Sequence, residues 1–356
     1  AQYGTNRPRV LSSDTLAHEE PAIDTSSSLG GIEYFDGILT DNDARFVFSF
    51  VRAAAEAGAA TANYVEMIAA ERAGDRWVAQ LRDVDSGEEF TTTATTIVNA
   101  EGPFFDEINQ QWGVSTKHRI VYSKGIHLVV PRLTTRHHHR VLAFFDDTQR
   151  LFYVIPMGRR SVIGTTDTRV DEPFTHVDDA DIEFLLDQIN ARLDLDQPLT
   201  PADIIAERSG VRPLVVSGTG GDHDDVDWTK LSRKHAVETD ARRRIVTVFG
   251  GKLTDCLNVG EEVAAEIHEL GIPLERDLKN WYGEPAAETR EEFYRQAKLM
   301  RLDSLRHKPD TEPLTDRLFR RYGRRAFDLI EMIRADPKMG EDIMGSADYL
   351  RAELYI

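Results

Sequence analysis

Apolar positions along this chain recur at two spacings, one alternating and one helical, so strands and helices are both expected. Asp41 stands where a helix cap belongs, and Val47, Phe50, Val51 and Ala54 then share one face up to Gly58. Alternating segments at 65–68 and 77–81 predict strands, with Ser86-Gly87 as a hairpin turn. The run Thr95-Thr96-Ile97-Val98-Asn99-Ala100 predicts a buried strand ending at Glu101-Gly102-Pro103. Further strands are predicted at Leu128-Val129-Val130, at 152–155 and at Val162-Ile163, each followed by proline or glycine. Asp178 caps a predicted helix with Ile182, Leu185, Leu186, Ile189 and Leu193 on one face. The β-branched run Ile245-Val246-Thr247-Val248 passes through Gly250-Gly251 into a helix carrying Val263, Ile267 and Leu270. From Gly271 onward only helical spacing remains, as in Phe293, Ala297 and Met300, then Phe327, Ile330 and Ile333. The first forty residues, with Arg7-Pro8, Glu20-Pro21 and Gly30-Gly31, are expected to be loops.

Composition narrows the function classes. A net charge of -18 argues against nucleic acid as a partner, because phosphate backbones require a basic surface. The lone cysteine, Cys256, rules out an internal disulfide and a thiolate metal cage, and points to a reducing compartment. No apolar run is long enough to cross a bilayer, and no signal-peptide pattern opens the chain. The 356 residues suffice for one large core or about two or three modules. The chain begins at Ala1 without methionine and stops inside a helical pattern at Ile356, so a fragment of a longer protein is expected. The acidic run at 221–227 reads as a hydrated loop, suited to high salt or simply to solubility.

Several short clusters carry candidate chemistry. In Phe249-Gly250-Gly251-Lys252-Leu253-Thr254 a strand runs through two glycines into a helix start. Bare N–H groups can approach a ligand there, and Lys252 adds a positive charge; the plainer alternative is a junction with a solvated lysine. Asn99-Ala100-Glu101-Gly102 lies beyond a strand's carboxyl end, where nucleotide cofactors pass in open α/β sheets, or is only a tight turn. His127, flanked by Gly125 and aliphatic residues, is either a base near neutral pH or a hydrogen-bonded core histidine. Arg212 is held extended by Pro213 and suits a carboxylate or phosphate, and Arg233 adds a second guanidinium; either alone could be an ordinary surface arginine. Gly164-Thr165-Thr166-Asp167 offers hydroxyls after a strand, or merely ends it. His137, His138 and His139 would alternate faces in a strand and sit between arginines, so no metal is assigned.

In order along the chain, these landmarks resemble the flavin-dependent glycerol-3-phosphate dehydrogenases. The series begins with Gly31-Ile32-Glu33-Tyr34-Phe35-Asp36, Asp43-Ala44-Arg45, and Gly58-Ala59 with Asn63-Tyr64. It continues through Val98-Asn99-Ala100 with Gly102-Pro103, Gly125-Ile126-His127-Leu128-Val129-Val130-Pro131 and Ile163-Gly164-Thr165-Thr166-Asp167. It closes with Gly210-Val211-Arg212-Pro213-Leu214, Ser232-Arg233-Lys234-His235 and Gly250-Gly251-Lys252-Leu253-Thr254. Each is weak alone; their shared order is specific.

The resemblance implies a mixed α/β, FAD-dependent oxidoreductase fold with interleaved flavin and substrate domains and a C-terminal all-helical domain. By that likeness, 1–40 begins a substrate-domain segment, 41–110 belongs to the FAD domain and 111–245 is the substrate-binding domain. Residues 246–270 then close the FAD domain, and 271–356 form an incomplete helical domain. The implied reaction oxidises sn-glycerol 3-phosphate to dihydroxyacetone phosphate, with hydride passing from C2 to flavin N5 and electrons to a quinone. His127 and Lys252 match catalytic positions, and Arg212 and Arg233 match substrate-binding ones. Asn99, Ala100, Gly102, Gly164, Thr165, Gly250, Gly251, Lys252, Leu253 and Thr254 match the cofactor's lining. A cytoplasmic protein, peripheral on the inner face of the cell membrane or held by a partner subunit, is implied, and a homo-oligomer is compatible with it.

Departures from the family pattern also matter. The Gly-x-Gly-x-x-Gly strand–turn–helix is absent from this sequence, Glu101 places a carboxylate beside an anionic cofactor, and Asp255-Cys256-Leu257 replaces Thr-Tyr-Arg. Poor FAD binding or none, and little or no activity of this chain on its own, are therefore expected. Rival readings are a glycerol-3-phosphate oxidase, another FAD-dependent amino- or hydroxy-acid oxidoreductase, and a truncated, non-catalytic binding module.

Overall fold

The computed structural model describes residues 7–26, 28–37, 39, 42–133, 140–145, 151–217, 234–274, 285–305, 312–344 and 349–356. Two compact units emerge, one of Ala1–Ile38 with Ala62–Leu274, the other of Leu39–Thr61 with Glu275–Ile356.

The first unit opens with β1 (Arg9–Ser12), α1 (Ser13–Glu19) and β2 (Gly30–Glu33) rather than the loops expected there. β1 and β2 pair antiparallel, Val10 opposite Ile32, and Ser12 caps α1 through the Thr15 amide. The partners stand too far apart in sequence for local periodicity to reveal them. In the second unit, α2 (Asn42–Glu56) carries the apolar face read from the sequence; its expected cap, Asp41, lies outside the described residues. Returning to the first unit, β3 (Val65–Ala73), β4 (Arg76–Asp83) and β5 (Glu89–Ala94) form an antiparallel meander, turning at Ser86-Gly87 as predicted. The strand predicted at 95–100 shortens to β6 (Ile97–Asn99), and Val98 is 38% exposed, so this strand is not buried on both faces. The carbonyl of Thr95 instead accepts from Arg244 Nε.

After α3 (Phe105–Gln111) comes the dominant sheet, organised by β7 (His118–Pro131). β8 (Leu142–Phe145), β9 (Leu151–Met157) and β10 (Arg160–Gly164) extend the sheet from one edge of β7 in the spatial order β7-β10-β9-β8, and β11 (Thr168–Val170) takes the rest of that edge. Past α4 (Asp179–Asn190), β12 (Ala206–Ser217) pairs antiparallel with the opposite edge of β7 from His118 to Val129. Side chains alternate along a strand. Ile126, Leu128 and Val130 therefore share one face and pack with Leu185, Leu186 and Ile189 of α4. That burial contributes on the order of 2 kcal/mol per aliphatic side chain. Asp178 caps α4 as predicted, in a reciprocal box with Asp181. The alternation turns Ser123, Gly125 and His127 to the opposite face.

A small sheet completes the unit. β13 (Ala236–Asp240) pairs antiparallel with β14 (Ile245–Phe249), which runs parallel to β6 with Thr247 opposite Asn99. α5 (Cys256–Glu269) follows. In the second unit α6 (Ala287–Met300), α7 (Leu314–Tyr322) and α8 (Ala326–Ala335) bury Phe293, Leu318, Leu329 and Ile330 together. Arg45 of α2 lies 4.5 Å over the Tyr322 ring and donates to the Arg321 carbonyl. Among the described residues no helix is long and apolar enough to cross a membrane.

Candidate active site

Because β6 and β14 are parallel neighbours, the two glycine turns that follow them open at the same end of one sheet. That is where α/β sheets hold ligands. Gly102, at φ 60°, would meet nothing within 4 Å if it carried a Cβ, so the turn faces open space. Gly250 and Gly251 adopt φ 59° and 103°, which favour glycine; a Cβ on Gly250 would stand 2.5 Å from Val215. Lys252 follows with its side chain exposed, Leu253 is half-buried and Thr254 is exposed. Asn99 is spent internally: it is buried, and its side-chain amide donates to Asn109 Oδ1 at 3.2 Å and the Phe105 carbonyl at 3.3 Å. Its contribution to a ligand is thus to shape the turn whose backbone includes Ala100 and Gly102. Desolvation raises the pKa of the Glu101 carboxyl above its ordinary value.

The dominant sheet meets both turns through one residue pair. Tyr122 of β7 and Pro213 of β12 stand opposite each other. The Tyr122 hydroxyl donates to the Pro103 carbonyl at 2.9 Å, and the Pro213 carbonyl would lie 3.1 Å from a Cβ on Gly250. The next pair is Ser123 and Arg212. Arg212 Nη2 donates to Thr165 Oγ1 at 2.6 Å and Nη1 to the Thr166 carbonyl at 3.3 Å, with Asp167 Oδ1 at 3.5 Å. Ser123 Oγ donates to Asp167, and the Ile126 amide to Thr166 Oγ1 at 3.1 Å, so the whole turn is tied to β7.

The Arg212 guanidinium lies over Gly125, and beyond it the sheet face is open at Gly210. Gly125 stands opposite Gly210, and the next pair on that face is His127 opposite Arg208. His127 also stands opposite Gly164, where a Cβ would come 2.8 Å from the imidazole. The peptide from Gly164 to Thr165 is cis. The structure thus gathers Arg212, Thr165, Gly164 and His127 on one face and leaves a two-glycine floor between them. Arg233 and the three histidines at 137–139 lie outside the described residues.

Sequence reading missed several partners. Ser123 and Asp167, which steady the Arg212 turn, lay inside motifs noted for other residues. Lys124, pointing to the other face, joins Asp178 and Asp181 at 2.8 and 2.7 Å in a buried ion pair. His235 sits between Asp255 (2.5 Å) and Glu262 (2.8 Å), bracing the Gly251 turn. Arg208 was also missed, although positions 208, 210 and 212 share a face by strand alternation. A cavity of about 1390 Å³ lies elsewhere, between 30–37 and β8. Converging polar groups, rather than volume, mark the candidate site.

Residues 1–254 match the family model for FAD dependent oxidoreductases. The chain is 31% identical over 337 residues to glycerol-3-phosphate dehydrogenase 2 of Mycobacterium bovis, covering 94% of this chain and 55% of that protein. It is 30% identical over 272 residues to the mitochondrial glycerol-3-phosphate dehydrogenase of Bos taurus, covering 73% and 36%. The chain therefore spans about half the length, or less, of these curated relatives. The structure of glycerol-3-phosphate dehydrogenase from Bacillus halodurans complexed with FAD superposes with a TM-score of 0.70 at 21% identity, covering 90% of this chain and 62% of that one. At that identity the likeness is one of fold. The family match across 1–254, with two glycine turns at one sheet end, makes this chain a member of the FAD-dependent oxidoreductases, with glycerol-3-phosphate dehydrogenases among its relatives.

Proposed function

We propose that this chain forms the substrate side of an enzyme that oxidises sn-glycerol 3-phosphate to dihydroxyacetone phosphate. The observation that best supports this reading is the placement of the anchored Arg212 guanidinium and His127 on one sheet face, separated by a floor of glycines. FAD, when bound, supplies the hydride acceptor. Arg212 binds the phosphate, its direction fixed by Thr165 and Thr166. His127 holds the C2 hydroxyl and takes its proton. Lys252 brings a positive charge to the glycine turns, where electron density rises during the reaction. The backbone at Ala100, Gly102, Gly250 and Gly251, with Gly164, Thr165, Leu253 and Thr254, lines the cofactor. Arg233 is assigned to the phosphate on the family likeness alone. On the same likeness, electrons leave to a quinone, and the protein attaches peripherally to the inner membrane face through apolar surface or a partner subunit.

The deciding experiment is anaerobic mixing of the chain, incubated with excess FAD, with glycerol 3-phosphate. Excess FAD offsets the weak binding expected of this chain, and bleaching of the flavin band with release of dihydroxyacetone phosphate, even at a low rate, supports the reading. Bleaching by an amino or hydroxy acid instead would move the chain elsewhere in its family. Peroxide formation in air, with no turnover of a quinone analogue, would make it an oxidase.

A further inference from the structure

The Arg208 side chain makes no hydrogen bond or ion pair with another described residue, and it is exposed. It stands directly opposite His127, two residues from Gly210 and four from Arg212, so all three side-chain positions face the same way. The two arginine Cα atoms are about 13 Å apart by strand rise, within reach of two long side chains leaning toward each other. The floor between them is asymmetric. A Cβ on Gly125 would stand 2.5 Å from Arg212 Cζ, so the Arg212 guanidinium already covers that half. A Cβ on Gly210 would meet nothing within 4 Å, so the other half is open.

We propose that an anionic group of the substrate settles over Gly210, between the guanidiniums of Arg212 and Arg208, making Arg208 a second anion-binding residue of this site. The inference rests on the functional reading above and names a residue that reading does not use. An oxyanion over Gly210 takes hydrogen bonds from two forks at once, which a hydrated surface arginine cannot provide alone. On that face it also sits next to His127, two register positions away, which leaves the adjoining carbon of a short phosphate ester beside the imidazole. Any side chain on residue 210 would fill the seat.

The test is equilibrium binding of glycerol 3-phosphate to the full chain with FAD present throughout, followed by calorimetry or phosphorus resonance. R208Q is expected to weaken binding at least about tenfold and to flatten its salt dependence, whereas R208K keeps most of the affinity at low salt. G210V, which has room to fold normally, should weaken binding as strongly as R208Q. R212Q serves as the reference arm. If R212Q loses affinity while R208Q and G210V bind like the parent chain, Arg208 is a bystander and this inference fails alone. If none of the three changes affinity, or the parent chain does not bind at millimolar ligand, the reading of the site itself fails.

Discussion

The guanidinium of Arg212 occupies the space that a side chain on residue 125 would need. The two residues lie on neighbouring strands, β12 and β7, two pairs apart in register. A glycine at 125 is what allows the arginine to lie flat on the sheet and reach Thr165.

Gly125→Ala therefore displaces the far end of a flexible side chain and leaves the backbone in place. We expect unchanged far-ultraviolet circular dichroism and an affinity for glycerol 3-phosphate reduced at least about tenfold, as for loss of a charge-assisted pair. Calorimetric titration checks this. An alanine variant that binds as tightly as the parent would show that Arg212 is not the anion's anchor.

Lys124→Met should destabilise the first unit by about 3 kcal/mol, because it leaves the buried Asp181 carboxylate without its counter-ion. Replacing Lys124 and Asp181 together by apolar residues should cost less than the single change. Urea midpoints of the three variants measure both statements. The hydrogen bond from Lys124 also holds Asp178 below the usual carboxylate range. The stability from that depressed value is present above about pH 4 and lost as the pH falls through the folded value.

His235 gives a dependence of the opposite sign. Burial works against the imidazolium, but hydrogen bonds to Glu262 and Asp255 outweigh it and raise the pKa. The resulting stability is fully present below the unfolded value of about 6.5 and lost as the pH rises through the folded one. The Tm gap between the parent and His235→Gln should accordingly be wider at about pH 5.5 than at about pH 9. Equal gaps would mean that the imidazole is not protonated between its two carboxylates.

In the second unit, burial and then the charge of Glu353 push the Tyr322 hydroxyl up to about 12. An ultraviolet titration should find Tyr322 ionising well after the exposed tyrosines. Glu353→Gln, which leaves Arg317 and Tyr322 without their shared carboxylate, should bring that step down and lower helical stability by about 3 kcal/mol.

Local spacing carries information only about elements that are regular over their own length. The cap at Asp178, the apolar face of α4, the turn at Ser86-Gly87 and the glycine junction after β14 were legible because propensity and period act within a few residues. The pairing of β1 with β2, the short reach of β6 and the half-exposed Val98 were not, since pairing across distant segments decides them. The sequence by itself determined the mixed α and β character, the order of the family's landmarks and the candidate residues His127, Arg212 and Lys252. Only the tertiary structure decided that Arg212 lies over Gly125, that His127 faces Gly164 and Arg208, and that the turns at Gly102 and Gly250 open side by side. Strand register sets which side chains share a face, and it is fixed by contacts between segments that no window of neighbouring residues contains.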